Sequence, residues 1–445
     1  MHSCIDIEQR DSIVYINLQN KSLNTLHLIR KYFFEPYSRW LLVLIMAFFI
    51  TMFSFEFINE RLWLNDFRVF YDACNALLAD QQVYGKNFGL DTGFYKYAPS
   101  TLILFVPLAY LPYSLALSIY FFLLSFAVVL LLKSITQFWF KKEKNQQLKF
   151  WFSIFLMLSV AVHLIRELHL GNTNLLLLLL CFYAFNFSIK KQSILSGLLL
   201  AIVILTKPYF GLLFFPLILF GKWRTLFSSV LFILGLMLSV FLIKGIEIGM
   251  TLHKEWIISM TKHSTYLTSA QTISSLAKTY ANFEISTISS MILLVITIAV
   301  LFLLFWQSIG FTGLFKSKIL NKTEERKFFV FYFLTIALVP VFLITDTEHF
   351  LFVLPMIGAV GYQIVLKRSA FLLCMFGLPW FFIASYGGDL WRNEWFKIIN
   401  SHGFLGLGTL IICGLATILS LSFIKGQNEK DELARIPNDT NNPQI

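Results

Sequence analysis

Apolar runs of roughly 17–22 residues recur from Arg39 to Lys425, each long enough to cross a hydrocarbon core about 30 Å thick. No soluble core calls for that repetition. Hydrophobic residues make up 57% of the chain and charged residues 14%, and the mean hydropathy is +0.70. A membrane β-barrel would instead alternate apolar and polar residues over segments of about ten, and that pattern is absent. The chain therefore reads as an all-α polytopic membrane protein, and the lipid bilayer is its first partner. The net charge of +11 resembles a nucleic-acid signature in size only. Its Lys and Arg sit in short clusters between the apolar runs, which is how topology is written, so no nucleic acid is expected as a partner. The five cysteines have neither metal nor redox spacing, which argues against a disulfide or a zinc site.

Charge sets the orientation. Arg10, Lys21, Arg30, Lys31 and Arg39 precede the first span, so residues 1–39 are expected to be a cytoplasmic N-terminal segment. The membrane domain is expected over 40–424. A first span near Trp40–Ile58 is followed by a large outer loop, 59–98, and a second large outer loop is expected at 244–286. Pro112 divides the long run 99–133 into a short re-entrant or interfacial helix, Pro99–Leu111, and a crossing, Tyr113–Leu132. The next loop is expected to be cytoplasmic because it holds Lys133, Lys141, Lys142, Lys144 and Lys149. Further crossings near 150–166, 174–189, 193–206, 208–221, 225–243, 287–309, 327–345, 350–366, 369–386 and 403–424 bring the total to about twelve. That count leaves each remaining basic cluster on the inside. Residues 425–445, rich in Asn, Asp, Pro and Gln, read as a disordered cytoplasmic tail.

The residues capable of chemistry collect on the outer side, mostly at helix ends. They include Asp66, Tyr97, Arg166, Asn174, Lys207, Gln271, Glu348 and His349. Ionisable groups at membrane depth are costly and commonly face a functional cavity, and several converging on one side suggest a single one. A plainer reading stands beside each. Asp66 could cap a helix. Arg166 and Lys207 could snorkel to headgroups. Glu348 and His349 could form a satisfied interfacial pair. Gly171-Asn172-Thr173-Asn174 could be a tight turn capping the next helix. Tyr95, Tyr97 and Trp256 could be interface anchors or could stack on sugar faces.

The order of these motifs carries a resemblance over residues 40–365. The first outer loop reads Asp66-Phe67-Arg68-Val69-Phe70-Tyr71-x-Ala73, then Ala76-Leu77-Leu78 and Val83-Tyr84. Tyr97-x-Pro99 and Pro107-Leu108-Ala109-x-Leu111-Pro112 follow. Later come Gly171-x-x-Asn174, Gly197 ahead of Lys207-Pro208, Ala270-Gln271-Thr272-Ile273, and Glu348-His349. This series resembles the polyprenyl-phosphate-mannose-dependent alpha-mannosyltransferases of glycosyltransferase family 87, integral-membrane enzymes of the GT-C fold. The resemblance implies a GT-C-type bundle with a large first extracytoplasmic loop. It places a catalytic aspartate at Asp66 and a functional histidine at His349. Where the family usually shows Gly-Gln-x-Asn, Asn-Gln-Ser and His-His, this chain has Gly171-Asn172-Thr173-Asn174, Ala270-Gln271-Thr272 and Glu348-His349.

Transfer of a sugar from a lipid phosphate needs a base for the acceptor hydroxyl, cations for the leaving phosphate, a groove for the lipid and exclusion of water. Asp66 is expected to be the base. One carboxylate with direct attack implies inversion at the sugar carbon, because retention wants a second carboxylate about 5 Å away. Lys207, Arg166 and His349 are the expected phosphate ligands. Asn174, Gln271, Tyr97 and Glu348 complete the expected substrate site, with the apolar wall beside 99–111 as lipid groove. No metal or cofactor is expected beyond the lipid-linked sugar donor, which acts as co-substrate. The expected partners are thus a polyprenyl-phosphate sugar, with mannose as the sugar, and a lipid or glycan acceptor, at the outer face of the inner (plasma) membrane during cell-envelope synthesis. Two other classes stay open: a secondary transporter, which would want charged or broken positions near mid-membrane in both halves, and a non-catalytic scaffold.

Overall fold

The computed structural model describes residues 36–89, 93–263, 269–310 and 320–422. The basic stretch before Pro36, Asp91, Lys316, Lys318 and the tail after residue 422 lie outside the described residues. Everything described is helix or connection, apart from an isolated antiparallel bridge between Asn87 and Phe94.

Among the described residues six helices are long and apolar enough to cross a membrane. They are α1 (Pro36–Ile58), α3 (Tyr113–Trp139), α8 (Trp223–Lys244), α11 (Thr287–Ile309), the Thr347–Lys367 span, which opens as a tight 3₁₀ turn and continues as α13 (Leu354–Lys367), and α16 (Phe404–Leu421). A seventh would combine α4 (Gln146–Ser159) with α5 (Ala161–Leu170), which are bent by 64° at their junction. The expected count of about twelve crossings is not confirmed among the described residues. The remaining apolar runs form shorter helices. α6 (Asn174–Ile189) has 16 residues, α7 (Ser193–Thr206) 14 and α14 (Ala370–Ala384) 15. At 1.5 Å per residue such helices reach about 21–24 Å, less than a hydrocarbon core. Proline ends or interrupts several runs: Pro208 follows α7, and Pro340 follows α12 (Lys322–Ala337). Residues 99–109 form a 3₁₀ turn, Pro99–Phe105, and a single α-turn, Val106–Ala109.

Burial separates helices that hydropathy cannot. In α12 nearly every residue from Glu324 to Ala337 is buried, and the Thr347–Lys367 span is 83% buried. α8 is 11% buried and presents Leu231, Leu238 and Leu242 outward, as a lipid-facing helix does. The inner layer is aromatic. Phe329 of α12 stacks on Phe138 of α3 at 4.3 Å between centroids, and Phe333 stacks on Phe182 of α6 at 5.8 Å. Offset pairs of this kind add to simple area burial. Lys133 departs from its expected place in a loop. α3 runs on for seven residues beyond Leu132 and carries Lys133 inside, 1% exposed. Lys149 likewise sits within α4, its ammonium 5.7 Å from the Tyr37 ring centroid.

The two long connections expected on the outer side contain helices. The first holds α2 (Asn65–Leu78), whose Phe67, Phe70 and Cys74 bury one face while Arg68 and Asp72 pair on the other at 3.4 Å. The second holds α9 (Ile246–His263) and α10 (Ile273–Ala281). A last short amphipathic helix, α15 (Asn393–Ser401), precedes α16.

Candidate functional site

The polar cluster is built where the chain turns back at one end of the bundle. Asp66 lies in the first turn of α2, where unpaired backbone N–H groups favour a carboxylate. α2 is held there by Gly171. That residue has φ +67°, and a Cβ on it would sit 2.9 Å from the Phe67 Cβ and 3.0 Å from the Leu64 Cβ. Only glycine satisfies both the left-handed backbone and the close approach, which is why the α5–α6 turn carries it.

The same turn starts a hydrogen-bonded chain. The Glu167 carboxylate accepts from the Leu175 backbone N–H at 2.8 Å, capping α6, and from Asn174 Nδ2 at 3.1 Å. Asn174 Oδ1 accepts from Lys207 Nζ at 2.5 Å. Lys207, at the end of α7, also donates to His349 Nε2 at 2.9 Å, and His349 Nδ1 lies 3.1 Å from the Asp346 carbonyl oxygen. A carbonyl only accepts, so Nδ1 carries the proton and Nε2 is the acceptor. Tyr97 closes the cluster. Its hydroxyl pairs with Thr173 at 3.2 Å, its ring lies 5.9 Å from Lys207 Nζ, and the following residue, Ala98, donates its N–H to the Leu205 carbonyl at 3.1 Å.

Asp66 faces this cluster. Burial raises its carboxyl from 3.8 to about 6; Lys207 and Lys96 pull it down, while Glu348 and Asp346 push it up. Lys96 lies in the extended segment before Pro99. Burial lowers its ammonium, and Asp346 and Asp66 oppose that. The Asp66 carboxylate is thus a stronger base than an exposed one and is still largely ionised at neutral pH.

Five of the eight expected site residues come together here: Asp66, Tyr97, Asn174, Lys207 and His349. Asn174 is fully buried with both side-chain atoms used, so it positions Lys207. Arg166 and Glu348 form an ion pair beside the cluster, with Glu348 buried and Arg166 half exposed. Gln271 stands apart from this chain of bonds. Its Nε2 donates to Tyr386 and Asn400, and its Oε1 accepts the backbone N–H groups of Leu405 and Gly406. The amide is therefore a clamp on the start of α16. Gln271, Arg166 and Asp346 nevertheless line one open cavity of about 550 Å³. Tyr95 and Trp256 do not offer ring faces to a ligand. Tyr95 is fully buried, with its hydroxyl 2.5 Å from that of Thr101, and Trp256 is 8% exposed. Among the described residues no three His, Cys, Asp or Glu side chains group as metal ligands would.

Two members were not singled out from the sequence. Glu167 precedes a glycine turn and a new helix, a spacing that signals a side-chain cap. Lys96 alternates with Tyr95 and Tyr97 in an extended segment, which points it away from the buried tyrosine.

A polytopic helical membrane protein with a carboxylate, an amine and an imidazole gathered at one end of its helices is the class that fold and site define. Residues 94–345 match glycosyltransferase family 87, more than half of the chain, and the protein belongs to that family. The match takes in Tyr97, Arg166, Asn174, Lys207 and Gln271; Asp66 and the Glu348–His349 pair lie outside it. No curated protein matches the chain.

Proposed function

We propose that this glycosyltransferase moves a hexose, mannose by the family resemblance, from a polyprenyl-phosphate donor to a lipid or glycan acceptor at the extracytoplasmic face of the plasma membrane. One observation supports the reading: the Asp66 carboxyl lies within electrostatic reach of Lys207, whose ammonium in turn bonds His349, and the three come from segments far apart in sequence. Asp66 takes the proton of the acceptor hydroxyl as its oxygen attacks the anomeric carbon. The bond from that carbon to the phosphate oxygen breaks, and its electron pair leaves with polyprenyl phosphate. Lys207 stabilises the charge that grows on that oxygen, with Lys96 adding to the local field. His349, its Nδ1 proton held by the Asp346 carbonyl, directs the Lys207 ammonium through Nε2. Direct attack on the face opposite the phosphate inverts the anomeric centre. The wall beside Pro99–Ala109 takes the prenyl chain.

The test supplies purified protein with a panel of polyprenyl-phosphate sugars and with acceptor lipids and glycans, and compares wild type with Asp66→Asn. Transfer by wild type and its loss in the variant are expected. Equal turnover by the two would remove Asp66 from the role of base.

A further inference from the structure

The cavity of about 550 Å³ is not the place for the donor's lipid. Its size falls in the range of about 300–1,000 Å³ usual for small-molecule sites, but its lining is polar. It lies between α5, the 269–275 turn, residues 345–347 and α15. The apolar Pro99–Ala109 wall instead packs against α2, α7, α8 and α9. None of the residues that line the cavity belongs to that wall. Asp346 links the cavity to the Lys207–His349 cluster, since it lines the cavity while its carbonyl holds His349 and its charge is felt by Asp66.

Two features of the lining are otherwise unexplained. The hydroxyls of Thr345 and Thr347 are shielded from solvent and have no hydrogen-bond partner, although both residues line the cavity. A buried hydroxyl without a partner is unfavourable, and one rotation about Cα–Cβ exchanges a threonine's hydroxyl for its methyl. Phe396 also lines the cavity, its ring tilted against Tyr386 at 5.4 Å between centroids. A lining that brings hydroxyl-bearing and charged residues together with an apolar ring suits a ligand with polar edges and a weakly apolar face.

We propose that this cavity is the acceptor subsite and that it takes a carbohydrate ring, with Thr345, Asp346 and Thr347 binding its hydroxyls and Phe396 its apolar face. The acceptor is then a glycan or a glycolipid headgroup. The assignment rests on the glycosyl-transfer reading, and it adds α15, which lies beyond the residues matched to the family, to the functional part of the chain.

The test uses the full chain in detergent and the double substitution Thr345→Val with Thr347→Val, which keeps side-chain shape and removes two partnerless hydroxyls, so folding is expected to be unimpaired. In steady-state transfer the acceptor KM should rise about tenfold or more while the donor KM is unchanged. Independently, saturation-transfer NMR with methyl α-mannoside, methyl α-glucoside and methyl α-galactoside should show binding of at least one probe to wild type. That signal should be lost in the double variant and kept in Asp66→Asn. An unchanged acceptor KM, a rise in donor KM instead, or a probe signal equal in wild type and double variant each overturns the acceptor assignment. Thr-dependent probe binding without transfer from any donor would keep the carbohydrate site and overturn both its acceptor role and the transfer reading.

Discussion

The acidity of Asp66 ties catalysis and stability to one group. Its carboxyl is raised from 3.8 to about 6, chiefly by burial. Only the ionised form can accept the acceptor's proton, so kcat/KM should fall on the acid side with an apparent pKa near 6. At pH 5 about a tenth of the carboxyl is ionised, and activity should be about a tenth of its plateau; an ordinary carboxyl would leave it almost untouched there. Lys207 opposes the rise, so in Lys207→Met the limb of any residual activity should move to higher pH. The same group acts on folding with the opposite sense. A carboxyl with a raised folded-state value binds more protons folded than unfolded, so its contribution to stability is fully present below about pH 4 and is lost as pH rises through about 6. The rise corresponds to an upper limit of about 3 kcal/mol. Asp66→Asn should therefore abolish transfer and yet raise the thermal midpoint at pH 7, with the gain vanishing below pH 4. Thermal unfolding in detergent at both pH values measures it. An acid limb near pH 4 in wild type, or an asparagine variant with no gain over wild type at pH 7, would refute a partly buried, charge-costly Asp66.

Three further outcomes follow from the geometry. Lys207→Met should lower kcat about 10²–10³-fold, the usual effect of losing one fixed transition-state stabiliser, with the folded protein still recovered from membranes; a loss below threefold would exclude Lys207 from the phosphate. Gly171→Ala should cost about 1–3 kcal/mol because the new methyl meets Phe67 and Leu64 at a left-handed backbone position, and it should reduce kcat by shifting α2; wild-type stability would contradict that packing. Gln271→Leu should destabilise by about 3 kcal/mol because it orphans the N–H groups of Leu405 and Gly406, seen as a lower thermal midpoint before any change in donor KM.

Apolar runs and proline positions carried part of the architecture. The 287–309 crossing is a helix over those residues, and the division of the 99–133 run at Pro112 is present. Hydropathy could not separate α12, sealed within the bundle, from α8, facing lipid, because burial in protein and burial in lipid select the same side chains. That is why apolar runs alone do not fix the number of full spans. Lys133 reads as a loop residue on the expectation that a lysine marks a helix end, yet α3 is long enough to carry it inside. At the site, single residues were legible as polar groups at helix ends, but not their bonds. The pairing of Lys207 with His349 joins positions 142 apart, and the clamp of Gln271 on Leu405 and Gly406 joins positions 134 and 135 apart. No local pattern encodes either. Glu167 and Lys96 were hidden for the same reason: their meaning depends on neighbours that only the fold supplies.

The central claim is that Asp66 and the Lys207–His349 pair act on one bound lipid-phosphate sugar. A cryo-EM structure with a non-transferable polyprenyl-phosphonate sugar measures this directly. The phosphonate is expected within about 3 Å of Lys207 Nζ, with the anomeric carbon between it and the Asp66 carboxylate. A phosphonate bound elsewhere, or an anomeric carbon turned away from Asp66, would contradict the account.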